Sequence, residues 1–258
     1  MASPKKTRAA RASLKKEIAE EINESLVNNH FHDNPIKRQI KLKQFPWTNK
    51  QKDFFKIALN PDTKIVLVNG PAGTSKTLLA TYCALQLLNM KTISDIMYLR
   101  SAVESSDRSL GFLPGSAEEK LRFFNLPFLD KLEELLESTR VEKLEQEGRV
   151  SMFPVNFARG MNWKAKCIIL DEAQNSTIKE ITTVLTRLGE GSKCFILADP
   201  MQTDIKQGDK QHGFEKMFKL FSDQESIGQG INTFSFDEDD VMRSVLVKYL
   251  TKKLKLIC

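Results

Sequence analysis

Lys64-Ile-Val-Leu-Val-Asn69, running straight into Gly70-Pro-Ala-Gly-Thr-Ser-Lys-Thr77, decides how this 258-residue chain folds. Ile65 to Val68 is the apolar run of a strand buried on both faces, and the glycines and proline after it read as a turn. Leu78, Leu79, Tyr82, Leu85 and Leu88 then supply an apolar face, so a helix is predicted over 76–89. A loop between a strand end and a helix start gathers backbone N–H groups at the positive end of the helix dipole. That construction binds anions. The spacing matches the phosphate-loop pattern GxxxxGK[ST] with one departure, Ser75 in the slot of the last glycine.

On this reading Gly70, Pro71, Ala72, Gly73, Thr74, Ser75, Lys76 and Thr77 cradle the phosphates of ATP. Lys76 reaches the β- and γ-phosphates, and the Thr77 hydroxyl binds Mg²⁺. Serine is small and its hydroxyl can meet a phosphate. Ser75 is therefore expected to permit binding, with affinity and turnover the quantities it puts at risk.

Outward from this loop, a second apolar run, Cys167-Ile-Ile-Leu170, ends in Asp171-Glu172, 95 residues after Lys76. Paired carboxylates at a strand end could merely cap the next helix, but beside a phosphate loop they read as a Walker B pair. Asp171 is then expected to hold Mg²⁺, directly or through water, and Glu172 to orient and deprotonate the attacking water. A third run, Phe195-Ile-Leu-Ala198, ends in Asp199-Pro-Met-Gln202, which positions Gln202 to sense the γ-phosphate. A glutamate beside the Walker B aspartate belongs to P-loop ATPases that insert a strand between the two Walker strands. Between those strands in the chain stand two strand candidates, Ile93–Leu99 and Val150–Val155. This agrees with the helicase and RecA-like branch, and no NKxD-like base-reading motif supports a GTPase.

The remaining pattern is α/β. Thr48 is placed to cap a helix over 49–59, and residues 117–147 are helical in composition, broken at Pro127. Strands are expected at Ala165–Leu170, Ser192–Ala198 and 231–236, with helices at Ile178–Leu188, 212–221 and 238–250. Strands alternating with helices predict a single RecA-like domain with a mainly parallel sheet between helices. Residues 1–44 are read as a charged arm with a helix near 12–28, 45–250 as the ATPase domain, and 251–258 as a basic tail.

Charge and cysteines bound the setting. Lys+Arg number 39 against 33 Asp+Glu, and residues 1–16 alone carry six basic residues and no acid, so the body is neutral. The arm is either a solvated helical start or an electrostatic contact to nucleic acid. The longest apolar runs are strand-length, which excludes an integral membrane helix. Cys83, Cys167, Cys194 and Cys258 lack CxxC spacing and fit buried thiols in a reducing cytoplasm. His30, His32 and Asp33 do not complete a metal site.

Taken together, GPAGTSKT, LRSAVESSDRSLGFLPG, FARGMNW, IILDEAQNST, LTRLGEGSK, LADPMQTD and FDEDDVMRSVLV resemble the PhoH-like family of ATPases, relatives of the superfamily 1 helicase core. The resemblance covers about residues 45–250. Ser75 and the Ala198-Asp199-Pro200 variant of the family's Gly-Asp step depart from it. It implies Mg²⁺-dependent ATP binding and hydrolysis, with a role on RNA or single-stranded nucleic acid, in a bacterial cytoplasm or a phage-infected cell. Small stand-alone versions also occur in bacteriophages. It further implies that Gln51 reads adenine through its amide.

Superfamily 1 motors place ATP between two lobes, and this chain has room for one. An arginine from the same lobe, or from a neighbour in a hexameric ring, is then expected to complete the γ-phosphate cage, with Arg187 and Arg243 as candidates. Nucleic acid is expected at Arg100, the 101–115 loop and Phe157 to Trp163, the alternative being that Phe157 and Trp163 are core and Arg159 a structural ion pair. The alternative is a nucleotide-gated nucleic-acid-binding protein with negligible turnover.

Overall fold

The computed structural model describes residues 36, 39–101, 117–158, 162–202 and 213–242, together with 246, 249–250 and 253, the side chains of 117–124 and 157 excepted. The arm helix near 12–28, the histidines at 30 and 32, the loop at 102–116, Arg159 and Arg243 lie outside the described residues.

Six strands form one sheet: β1 Ile65–Asn69, β2 Asp95–Arg100, β3 Val150–Pro154, β4 Lys166–Asp171, β5 Lys193–Ala198 and β6 Ile231–Ser235. Their order is β3-β2-β4-β5-β1-β6, and every neighbouring pair is parallel. Unbroken apolar runs suit strands covered on both faces, and β4 and β5 are buried at every residue. The strand lying between the two Walker strands β1 and β4 is β5. The earlier candidates, now β2 and β3, lie on the far side of β4.

Helices α1 Asn49–Leu59, α2 Lys76–Asn89, α3 Ala117–Leu135 and α4 Ser138–Gln146 cover one face. There Phe54, Leu79, Leu85, Leu88, Phe128 and Leu132 are buried together with Val66, Val68, Ile96 and Tyr98. Helices α5 Ile178–Leu185 and α6 Gly213–Leu220 cover the other face, where Ile181, Val184 and Phe214 pack with Trp163 and Leu170. A short helix α7, Gln224–Gly228, leads into β6.

Three expectations change. Pro127 does not break its helix: α3 runs through it, because Phe128, Leu132 and Leu135 anchor the helix while the proline faces solvent. The helix expected over 238–250 does not begin at 238, and the described residues 246, 249, 250 and 253 beyond it are helical. Asp237 and Asp240 close a capping box around a single 3₁₀ turn, Glu238–Asp240, and Val241 beyond it is extended. The compact unit also reaches back at least to Ile36. Ile36, Ile40 and Leu42 are buried, and the Asn89 side chain bonds both Ile40 N–H (2.7 Å) and Ile40 C=O (2.8 Å).

Two lysines open the central strands at the edge away from the phosphate loop. Lys166 Nζ meets Asp95 Oδ2 at 2.7 Å, and Lys193 Nζ donates to the carbonyls of Ala58 and Asn60, 2.8 Å each, at the C-terminal end of α1. Both lysines are buried, and each has a hydrogen-bond partner for its charge.

Candidate nucleotide site

The parallel sheet sends the C-terminal ends of β1, β4 and β5 to one edge, where open α/β sheets hold ligands. There a cavity of about 390 Å³ is lined by Ala72, Gly73, Ser75, Lys76 and Thr77 from the loop and by Asp171, Glu172, Gln174, Asp199 and Gln202 from β4, β5 and the turns after them. Lys131 and Glu134 of α3, and Met242, complete much of the wall.

The loop is formed as the sequence predicts, between β1 and α2. Gly70 has no room for a side chain, since a Cβ there would stand 2.8 Å from Phe236 Cβ. Gly73 takes a positive φ of 85°, which glycine adopts freely. Ser75 also sits in the left-handed region, at φ 65° and ψ 23°, and its side chain makes no cap bond to the helix. A residue with a Cβ held there costs on the order of 1–2 kcal/mol.

Lys76 Nζ donates to the carbonyls of Gly70 (2.6 Å) and Pro71 (3.0 Å), so two of its three N–H bonds are used by the loop and one is free for an oxygen in the cavity. Burial holds its pKa below the usual lysine value, opposed by the nearby Asp199, Asp171 and Glu172. Asp199 accepts from the backbone N–H groups of Met201 and Ala72, which ties the end of β5 to the loop.

Asp171 is buried at the end of β4. Its Oδ2 accepts from the Thr77 hydroxyl (3.0 Å) and from the Tyr98 hydroxyl (2.9 Å), while its Oδ1 accepts from the Glu172 N–H (3.0 Å). Burial pushes its pKa up, and the Glu172 charge adds to that; the three hydrogen bonds pull it down. A buried carboxylate beside a second one, with a hydroxyl at hand, suits a hard divalent cation. Mg²⁺ needs only one or two protein oxygens besides phosphates and water. Asp171 and Thr77 are the residues that would hold it. Among the described residues no cluster of three His, Cys, Asp or Glu forms a separate metal site.

Glu172 occupies the left-handed region as well, at φ 53° and ψ 39°. Its Oε2 accepts from Gln174 Nε2 at 2.5 Å. The same amide nitrogen stands 3.3 Å from the Gln202 carbonyl, and Gln174 Oε1 accepts from the Asp199 N–H at 3.0 Å. Gln174 thus joins the second Walker carboxylate to both ends of the Asp199–Gln202 turn.

The structure therefore brings Lys76, Thr77, Asp171, Glu172 and Gln202 to one cavity. It does not bring Gln51 there: Gln51 is buried at the third position of α1, its Oε1 accepting from Thr48 N–H (2.9 Å) in a capping box. Nor does it bring Arg187 there. Trp163 N–H donates to Arg187 C=O, Ala165 N–H to Glu190 C=O, and β4 and β5 start just after these residues, so Arg187 stands at the opposite edge of the sheet. Arg243 follows Met242, whose N–H donates to Gly73 C=O at 2.8 Å. Trp163 is a core residue, 1% exposed, and is not available to stack on a base.

Sequence reading missed Tyr98, Gln174, Asp199, Lys131 and Glu134. Tyr98 carried a signal, because a tyrosine inside a buried apolar strand needs a partner for its hydroxyl. Gln174 stands three residues after Asp171. Lys131 and Glu134 remain more than a third exposed, and only the docking of α3 brings them to the cavity wall.

Comparison with known proteins agrees with this architecture. The sequence profile of the PhoH-like protein family matches residues 44–255. A PhoH-like protein of Bacillus subtilis is 34% identical over 224 residues, 87% of this chain and 66% of the relative. One of Synechocystis is 33% identical over 205 residues, 80% of this chain and 60% of the relative. Protein PhoH of Escherichia coli is 31% identical over 185 residues, 71% of this chain and 51% of that protein. The chain thus spans between half and two-thirds of the length of these relatives. No described helix is long and apolar enough to cross a membrane. With a phosphate loop, a Walker B pair and an all-parallel RecA-like sheet in place, this chain belongs to the PhoH-like family.

Proposed function

We propose that this protein binds ATP with Mg²⁺ and hydrolyses it, and that hydrolysis serves work on RNA or single-stranded nucleic acid in the cytoplasm. The observation carrying the first part is the meeting of Lys76, Thr77, Asp171 and Glu172 at one cavity, with Thr77 and Asp171 directly hydrogen-bonded. Lys76 donates its remaining N–H to the phosphates, and the loop amides surround them. Thr77 and Asp171 would hold Mg²⁺, which would supply neutralising charge to the phosphate oxygens. Glu172 accepts a proton from water as the water oxygen attacks the γ-phosphorus; the bond to the ADP oxygen breaks, and ADP and phosphate leave. Gln202 faces the same space as a sensor of the γ-phosphate.

The nucleic-acid part of the proposal, and assembly into a ring, rest on family resemblance. Arg187 at the far edge of the sheet suits a role toward a neighbouring subunit better than toward its own nucleotide. Met242 arrives at its own chain's Gly73 one residue before Arg243, which leaves both a same-chain and a neighbour role open to Arg243. The test is phosphate release with and without Mg²⁺ and a panel of single-stranded RNAs and DNAs. Mg²⁺-dependent release stimulated by one class supports the proposal; nucleotide binding without release supports the second reading.

That second reading, a nucleotide-gated binding protein with negligible turnover, is favoured by the left-handed Ser75 in a loop where glycine is free of strain.

A further inference from the structure

The cavity holds a second lysine that the phosphate-loop chemistry does not use. Among the described residues lining it, the cations are Lys76 and Lys131. Lys76 has two of its three N–H bonds committed to Gly70 and Pro71, so it alone can give the triphosphate only one. Four carboxylates, Glu134, Asp171, Glu172 and Asp199, face the same space, and a γ-phosphate entering it needs more positive charge than one lysine and one metal ion bring.

Lys131 is held where it can supply that charge. It lies one turn after Phe128, whose ring stacks on Tyr98 at 4.4 Å between centroids and 8° between planes. The Tyr98 hydroxyl in turn holds Asp171, so the face of α3 that carries Phe128 and Lys131 is registered against the Walker B aspartate. The end of α3 is pinned a second time: Lys43 N–H donates to Leu135 C=O at 2.9 Å, and Lys43 Nζ to Glu133 C=O at 2.9 Å. Lys131 pairs with Glu134 at 2.5 Å, one turn further along the same helix. Both side chains are more than a third exposed, and an ion pair of that kind is weak enough to yield to a phosphate bearing more charge.

Resting on the nucleotide-binding reading above, we infer that Lys131 is a γ-phosphate-binding residue supplied by the chain's own α3, released from Glu134 when a triphosphate enters. It gives the site a second cation besides Lys76 without help from Arg187.

The full-length protein, with Mg²⁺, is titrated with ADP and with a non-hydrolysable ATP analogue, for wild type, Lys131→Met and Lys131→Arg. Lys131→Met is expected to weaken analogue binding about tenfold while ADP affinity stays within about twofold, and Lys131→Arg to restore most of the loss. Unchanged analogue affinity in Lys131→Met overturns the inference. An equal loss for both nucleotides also overturns it, since that marks Lys131 as a support of α3 only. Wild-type protein that binds neither nucleotide overturns the ATP reading itself, and this inference with it.

Discussion

Gln174 Nε2 lies 2.5 Å from Glu172 Oε2, and the other end of the same carboxamide accepts the Asp199 N–H. One buried side chain thereby sets the direction of the Glu172 carboxylate and fixes it to the turn that carries Gln202. Gln174→Leu is expected to lower turnover about 10- to 100-fold with ATP affinity little changed, because it disorients the base while leaving Lys76, Thr77 and Asp171 in place. Phosphate release and equilibrium binding on the same variant check this. Equal losses in both would show that Gln174 only supports the fold.

Ser75→Gly should relieve the left-handed backbone. Set against the greater freedom glycine has when unfolded, the net gain is about 0.5–1 kcal/mol. For a chain of this size that is a rise of roughly 1–2 °C in Tm, together with tighter ATP binding. A thermal melt with and without nucleotide measures both; an unchanged Tm would mean that the loop holds Ser75 without strain.

Gly70→Ala places a methyl carbon where only 2.8 Å separates it from Phe236 Cβ, and the next nearest atom is the Phe236 carbonyl oxygen at 3.2 Å. Backbone has to move, so the variant is expected to lose about 1–3 kcal/mol of stability and to bind ATP more weakly. Denaturant unfolding and nucleotide titration test it. Wild-type values in both would show that the 236–242 segment is not a fixed wall of the loop.

Lys193 is a buried cation bonded to the carbonyls that end α1, and burial holds its pKa below the usual lysine value. A base whose folded pKa is lowered binds fewer protons folded than unfolded between the two values, so its stability contribution rises with pH across that window. Lys193→Met is expected to be destabilised by about 1–3 kcal/mol at neutral pH, with the deficit from wild type widening as pH rises toward the ordinary lysine value. Unfolding curves at pH 7, 8, 9 and 10 check the sign; a deficit that narrows with pH would contradict it.

The parts of this fold that show in the sequence are those where one short segment determines both structure and chemistry. Ile65 to Thr77 does so, as do the apolar runs ending at Asp171 and Asp199, because buried parallel strands leave unbroken apolar stretches. What did not show depends on which strands become neighbours. The Walker B glutamate signals a strand inserted between β1 and β4, but nothing local says that it is β5 rather than β2 or β3, or that Tyr98 on β2 meets Asp171 on β4. Pro127 misleads because a proline's local cost was outweighed by the burial of Phe128 and Leu132. Lys131 and Glu134 carry no local sign of the site, and only the docking of α3 through Phe128 brings them to the cavity. Gln51 stands at capping-box spacing from Thr48, a second role that the sequence shows, and its side-chain oxygen is used in that box.

The central claim is tested most directly by Glu172→Gln, with phosphate release and ATP binding measured side by side in Mg²⁺. Glutamine keeps the size of the side chain and leaves Thr77 and Asp171 untouched, but it cannot take a proton from water. Binding close to wild type with turnover lower by about 100-fold or more is the predicted result. Unchanged turnover would remove Glu172 from the chemistry and contradict the account.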